Sequence, residues 1–131
     1  LMFDDIGNVV EVSVANIIVI YRGDIIIPDT GNAALEGITL RSALEILEYN
    51  GYTIKRGKVD RSMIFTADEL LVTGTAMKVT FAESLDQRPI GNLNFSEEGV
   101  SGKFHQLLKS EYEKIINGEH ELSKKWLFEF Q

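Results

Sequence analysis

Apolar residues recur along this chain in two rhythms, one of period two and one of helical spacing, and the switch between them marks the elements. Leu1–Phe3 reads as the end of a strand, and Asp4-Asp5-Ile6-Gly7-Asn8 as a turn. From Val9 to Ala15 the pattern alternates, with Val10, Val12 and Val14 on one face and Glu11, Ser13 and Ala15 on the other. Asn16 leads into Ile17-Ile18-Val19-Ile20-Tyr21, a buried strand, and Arg22-Gly23-Asp24 turns it back into Ile25-Ile26-Ile27, stopped by Pro28. Residues 28–37 read as a loop rich in Gly, Asp and Asn. Leu40, Ala43, Leu44 and Leu47 then sit at helical spacing, with Thr39 as the expected N-cap and Gly51 closing the C-terminus.

Tyr52–Val59 reads as another strand, and Asp60 is placed to cap a short helix from Arg61 to about Ala67. The stretch Leu70-Leu71-Val72-Thr73-Gly74-Thr75-Ala76-Met77-Lys78-Val79-Thr80 looks like strand on both sides of a small, hydroxyl-bearing centre. Met77–Ser84 is read as a strand and Asp86–Pro89 as a turn. A long helix begins near Gly102, with Phe104, Leu107, Leu108, Tyr112, Ile115 and Ile116 as its apolar stripe, and Asn117-Gly118 ends it. Residues 123–130 carry one last amphipathic turn or two. Strands with helices inserted after them, and no internal repeat, predict one domain over 1–131. Its fold class is α/β or α+β, built on a mixed, strongly curved sheet.

Composition narrows the function. The chain has 131 residues, 44% of them hydrophobic, enough for a real core. With 13 Lys+Arg against 20 Asp+Glu the formal charge is −7, and no basic stripe appears. Nucleic acid and anionic membrane are therefore poor partners. The absence of cysteine removes disulfides, thiolate nucleophiles and Cys-based zinc sites. No apolar run reaches the roughly 18 residues of a membrane-spanning helix. The first 21 residues contain no Lys or Arg, unlike a signal peptide. A cytoplasmic location is expected, and a chain that opens on Leu1 reads as a fragment.

Three places carry candidate chemistry. Glu36-Gly37-Ile38-Thr39 opens a helix, and helix N-termini, with unpaired N–H groups and partial positive charge, bind phosphate. The ordinary alternative is a capped helix with no ligand. Thr73-Gly74-Thr75-Ala76 sets two hydroxyls beside a glycine and offers a second anion site, the alternative being a β-bulge. Glu11 is a carboxylate in a valine-rich strand, either solvent-facing or paired with a buried cation. His105, His120 and the pair Asp68-Glu69 have no neighbours at metal-ligand spacing, so no metal site is predicted.

The order of these pieces is more specific than any one of them. Glu11, Asn16 before an apolar strand, Leu35-Glu36-Gly37-Ile38-Thr39 opening a helix, Thr66-Ala67-Asp68-Glu69 running into Thr73-Gly74-Thr75-Ala76, and Gly102 opening a long helix resemble the C-terminal domain of fold-type IV, pyridoxal-phosphate-dependent aminotransferases. The resemblance is closest to the branched-chain amino acid aminotransferases and covers essentially the whole chain. It implies that Glu11 holds the protonated pyridine nitrogen of pyridoxal phosphate, which makes the ring an electron sink. It implies that Ile38 and Thr39 form one phosphate-binding element and Gly74 and Thr75 the other. Thr75 and Ala76 match positions whose N–H groups meet the substrate carboxylate. The implied fold is a curved mixed sheet, or pseudo-barrel, with flanking helices.

The sequence departs from the family pattern at several positions. Val12 and Val14 stand where small residues, often glycine, are usual, and Ala15 where an acid is usual. Leu40 replaces an arginine after Gly-Ile-Thr, and Lys103 a proline after Gly102. The Schiff-base lysine, which the resemblance places a few dozen residues before Glu11, has no counterpart in the chain, so no catalytic residue is assigned. The resemblance thus implies the cofactor-binding domain of an aminotransferase, without its N-terminal domain and inactive alone. The whole protein would pass an amino group from a branched-chain amino acid to 2-oxoglutarate, as a homo-oligomer. The alternatives are a D-amino acid aminotransferase, an aminodeoxychorismate lyase, or a non-catalytic binding or assembly module of the same fold.

Overall fold

A computed structural model describes residues 1–29, 31, 35–75, 78–91 and 102–129. The apolar runs of the sequence become its central sheet. Strands β3 (Asn16–Tyr21), β4 (Asp24–Pro28), β5 (Ile54–Gly57), β6 (Glu69–Gly74) and β7 (Lys78–Phe81) lie in the order β5-β4-β3-β6-β7. Three of the four pairings are antiparallel, and β4 with β5 is parallel, which makes the sheet mixed. The parallel pair is joined by helix α1 (Ile38–Tyr49), as a parallel crossover requires. Short strands β1 (Met2–Phe3) and β2 (Val9–Glu11) pair with each other, as do β8 (Ser84–Leu85) and β9 (Arg88–Pro89). The remaining helices are α2 (Arg61–Phe65), α3 (Lys103–Ile116) and α4 (Glu121–Glu129).

Strand alternation sorts the core into two layers. Ile18 and Ile20 of β3, Ile25 and Ile27 of β4 and Leu71 of β6 face α1 and α3, which contribute Leu40, Ala43, Ile46, Leu47, Phe104, Leu108 and Ile115. Ile17, Val19 and Leu70 face the other way, onto Val9, Val59, Ile64, Ala67 and Ile90. β3 is therefore buried on both faces, as its unbroken apolar run predicts. Asp60 caps α2 by accepting from Met63 N at 2.8 Å. Among the described residues no helix is long and apolar enough to cross a membrane.

Several expectations need correction. β2 ends at Glu11, and the rest of the alternating stretch is a tight turn. Val12 N donates to Ala15 O at 3.2 Å and Ala15 N to Val12 O at 3.0 Å. The N-cap of α1 is Gly37, and Thr39 lies inside the first helical turn. The fifth strand is four residues long. Gly74 does not interrupt a strand: it pairs with Lys78, at the closed end of the β6–β7 hairpin.

Both histidines hydrogen-bond within the fold. His120 Nδ1 accepts from Leu122 N at 3.0 Å, so Nε2 carries the proton and donates to Glu111 Oε2 at 2.7 Å. Burial pushes the Glu111 carboxyl up, but the bonds from Lys114 and His120 outweigh it and hold it below its ordinary value. His105 Nε2 lies 3.2 Å from Val79 O and ties α3 to β7, one of the two edge strands of the sheet, while its buried Nδ1 has no partner among the described residues.

Candidate functional site: an open helix end beside a hydroxyl-lined hairpin

β3 and β6 run antiparallel, so Asn16 pairs with Thr73 at one end and Ile20 with Glu69 at the other. Each end of this ladder meets the N-terminus of a helix, and the two ends are treated differently.

At one end α3 is plugged from within. Its N-cap, Gly102, has no side chain to offer. Glu69, only 9% exposed, supplies the cap from β6: Oε1 accepts from Phe104 N at 3.0 Å and Oε2 from His105 N at 3.1 Å. A carboxylate on the first free N–H groups satisfies both the donors and the helix dipole. Gly102 is glycine for space: a Cβ there would stand 2.1 Å from Glu69 Cδ. The acidic pair Asp68-Glu69, unremarkable as sequence, thus contains an internal anion.

At the other end α1 is held but left open. The Asn16 amide clamps the preceding loop, donating from Nδ2 to Leu35 O at 3.0 Å and accepting from Gly37 N at 2.9 Å. A Cβ on Gly37 would approach Asn16 Oδ1 to 3.1 Å, so the glycine lets the loop lie against the amide. No acidic residue occupies the first turn of α1. Glu36, next to the cap, is turned away into an ion pair with Arg56 of β5, which raises the Arg56 guanidinium above its ordinary value. The N–H groups of Ile38, Thr39 and Leu40 have no intrahelical acceptor.

A cavity of about 250 Å³ lies against this open end. Gly37 and Thr39 line it from α1, Asn16 and Thr73 from the β3–β6 ladder, Gly74 and Thr75 from the hairpin end, and Val14, Ala15 and Leu35 from the neighbouring loops. Thr73 is 1% exposed, and its hydroxyl has no hydrogen-bond partner among the described residues. Buried polar groups are nearly always satisfied, so an orphan hydroxyl in a cavity wall marks a missing acceptor or donor. Hydroxyls, helix-end N–H groups and a nearby glycine form a donor set suited to a phosphate group.

Thr39, Gly74 and Thr75 are thus brought into one cavity, with Ile38 at the first helical position beside it. Glu11 ends β2, its backbone paired with Met2, and its side chain lies outside the described structure. Ala76 also lies outside the described residues. Leu40, which stands where the family pattern has an arginine, is buried in the core under α1. Asn16, whose signal is an amide at the head of an apolar strand, was not assigned a role from sequence, and Thr73 entered only as one of the two hydroxyls of the Thr73-Gly74-Thr75-Ala76 stretch.

A family profile described as Amino-transferase class IV matches residues 1–85. The chain is 33% identical over 128 residues to a probable branched-chain-amino-acid aminotransferase of Aquifex aeolicus, covering 97% of this chain and 39% of that protein. It is 32% identical over 126 residues to the branched-chain-amino-acid aminotransferase of Pseudomonas aeruginosa, covering 96% of this chain and 39% of that one. Among solved structures, the T.th. branched-chain amino acid aminotransferase complexed with N-(5'-phosphopyridoxyl)-L-glutamate superposes with a TM-score of 0.82 at 31% identity, over 96% of this chain and 40% of that one. The enzyme of Thermoproteus uzoniensis with norvaline gives 0.82 at 28% identity, over 95% and 39%. The chain therefore spans about two-fifths of the length of these relatives.

Proposed function

The chain belongs to the class IV aminotransferases, and on that premise we propose that it is the cofactor-cradling portion of a branched-chain amino acid aminotransferase. The whole protein would exchange an amino group between a branched-chain amino acid and 2-oxoglutarate, and would work as a homo-oligomer. The observation that carries this reading is one cavity lined by the open N-terminus of α1 and by Thr73, whose buried hydroxyl has no partner among the described residues. The other long helix of the same sheet, α3, already holds its own carboxylate.

In this reading the N–H groups that open α1 and the hydroxyls of Thr39, Thr73 and Thr75 take the phosphate of pyridoxal phosphate. Asn16 fixes the loop so that those N–H groups stay aimed at it. Glu11 holds the proton on the pyridine nitrogen. When bound, the cofactor supplies the electron sink for charge developing at the substrate α-carbon. The N–H groups of Thr75 and Ala76 meet the substrate carboxylate.

No lysine of this chain is assigned to the covalent step or to moving the α-proton, so the 131 residues by themselves are expected not to turn over. The test is an assay of the chain with pyridoxal phosphate, leucine and 2-oxoglutarate. Glutamate should form no faster than with pyridoxal phosphate alone. Faster formation would contradict the division of labour proposed here.

A further inference from the structure

A second cavity, of about 470 Å³, lies between β7 and α3, a size ordinary for a small-molecule site. It shares no lining residue with the cavity beside α1. His105 stands in its wall, 9% exposed. The residue is held firmly: its backbone N–H donates to Glu69 Oε2 at 3.1 Å, and its ring lies 4.9 Å from that of Phe81. Nε2 is 3.2 Å from Val79 O, and a carbonyl only accepts, so Nε2 carries the proton. In the neutral ring Nδ1 is then a bare acceptor, buried and without a partner among the described residues. Buried polar groups are nearly always satisfied, so this one asks for a donor from outside the chain. Lys78, Lys109 and Glu113 line the same cavity, exposed, and none of the three forms an ion pair among the described residues. Val79 and Leu108 add apolar wall.

We infer that this cavity is a binding site for a free α-amino acid with an apolar side chain. The ammonium group donates to His105 Nδ1, and Glu113 balances its charge. Lys78 and Lys109 take the carboxylate. The apolar side chain covers Val79 and Leu108. A simple carboxylate would leave Nδ1 without a donor, and a simple amine would leave both lysines unpaired. Nδ1 is closed to solvent in the chain alone, so the ligand reaches it as the exposed, flexible lysine side chains move aside. The site stands on its own residues and does not depend on where the phosphate binds.

The test is to titrate the chain with L-leucine, with 4-methylvalerate, which lacks the amino group, and with 3-methylbutylamine, which lacks the carboxylate. Binding is followed through the backbone amides of Lys78–Thr80 and His105–Asn117 and through the ring nitrogens of His105. L-Leucine should shift these amides and move the Nδ1 resonance from that of a bare nitrogen toward that of a hydrogen-bonded one. Each analogue should bind about tenfold more weakly or worse, the loss of one contact between charged or polar groups. Lys78→Gln and Lys109→Gln should each weaken L-leucine about three- to tenfold, with the unfolding temperature of the parent, because both side chains are exposed. L-Leucine that leaves these amides unmoved, or moves only those of Gly37–Leu40 and Thr73–Thr75, overturns the site. Analogues that bind as tightly as L-leucine, or an Nδ1 resonance that does not move, overturn the amino acid assignment. Neither result bears on the phosphate reading, which pyridoxine phosphate tests at other amides.

Discussion

Glu69→Ala should destabilise the fold by about 3 kcal/mol, near the sum of two net hydrogen bonds to a charged group. For a domain of this size that lowers the unfolding midpoint by roughly 10 °C. The expected loss is large because the carboxylate is 9% exposed and bonds two N–H groups that have no other acceptor in α3. Without it the buried end of the helix is left with unsatisfied donors and an uncompensated dipole. Gly102→Ala attacks the same contact from the other side. A Cβ at 2.1 Å from Glu69 Cδ must displace the carboxylate, at a cost of roughly 1–3 kcal/mol for overpacking. The two substitutions share one contact, so the double variant should be less destabilised than the sum of the singles. Chemical denaturation of the four proteins measures this directly. A Glu69→Ala variant within about 0.5 kcal/mol of the parent would show that the cap contributes nothing beyond an ordinary surface position.

These two helix ends also show where sequence is informative. The cap of α2 was legible because Asp60 and the Met63 N–H that donates to it are three residues apart. The cap of α3 was not, because Glu69 lies 35 residues before Phe104. Thr39 looked like the N-cap of α1 for the same reason: the loop is held by Asn16, 21 residues before Gly37, and only the folded sheet brings them together. The core was easier. The unbroken run Ile17–Tyr21 and the helical spacing from Leu40 to Leu47 gave β3 and α1 because burial alone dictates those patterns.

The turn at Val12–Ala15 was hidden by its own valines, which continue a strand-like alternation and are the wrong residues for a left-handed turn. The centre of Leu70–Thr80 looked like a bulge because a bulge and a hairpin end use the same small residues. The pairing of Gly74 with Lys78 decides between them. At the site itself, the order of Asn16, Gly37-Ile38-Thr39 and Thr73-Gly74-Thr75 was legible. What sequence did not give was that Thr73 is buried with its hydroxyl unpartnered.

The second large effect is expected in binding. Thr75→Val should weaken phosphate-ester affinity by roughly 10- to 100-fold, the equivalent of one net hydrogen bond to a charged group. Thr75 is exposed at the hairpin end, so the free protein should lose little stability. Thr73→Val should weaken binding to a similar degree while raising the stability of the free protein by about 1 kcal/mol. Its hydroxyl is buried without a partner, and an isosteric methyl removes that desolvation cost. Opposite signs on stability and affinity would mark Thr73 as a binding group and not a packing group. Calorimetric titration of both variants with pyridoxine phosphate, beside their denaturation curves, separates the two effects. Loss of stability in Thr73→Val would mean that the hydroxyl is satisfied in the free protein.

The central claim is that the phosphate of pyridoxal phosphate sits between the open end of α1 and the end of the β6–β7 hairpin. The most direct measurement is a residue-resolved amide titration of the chain with pyridoxine phosphate. The largest shifts should fall on Gly37, Ile38, Thr39 and Leu40 and on Thr73, Gly74 and Thr75, with the plugged end of α3 at Phe104 and His105 unmoved. Shifts centred on α3, or a titration that leaves the first turn of α1 unperturbed, would contradict it.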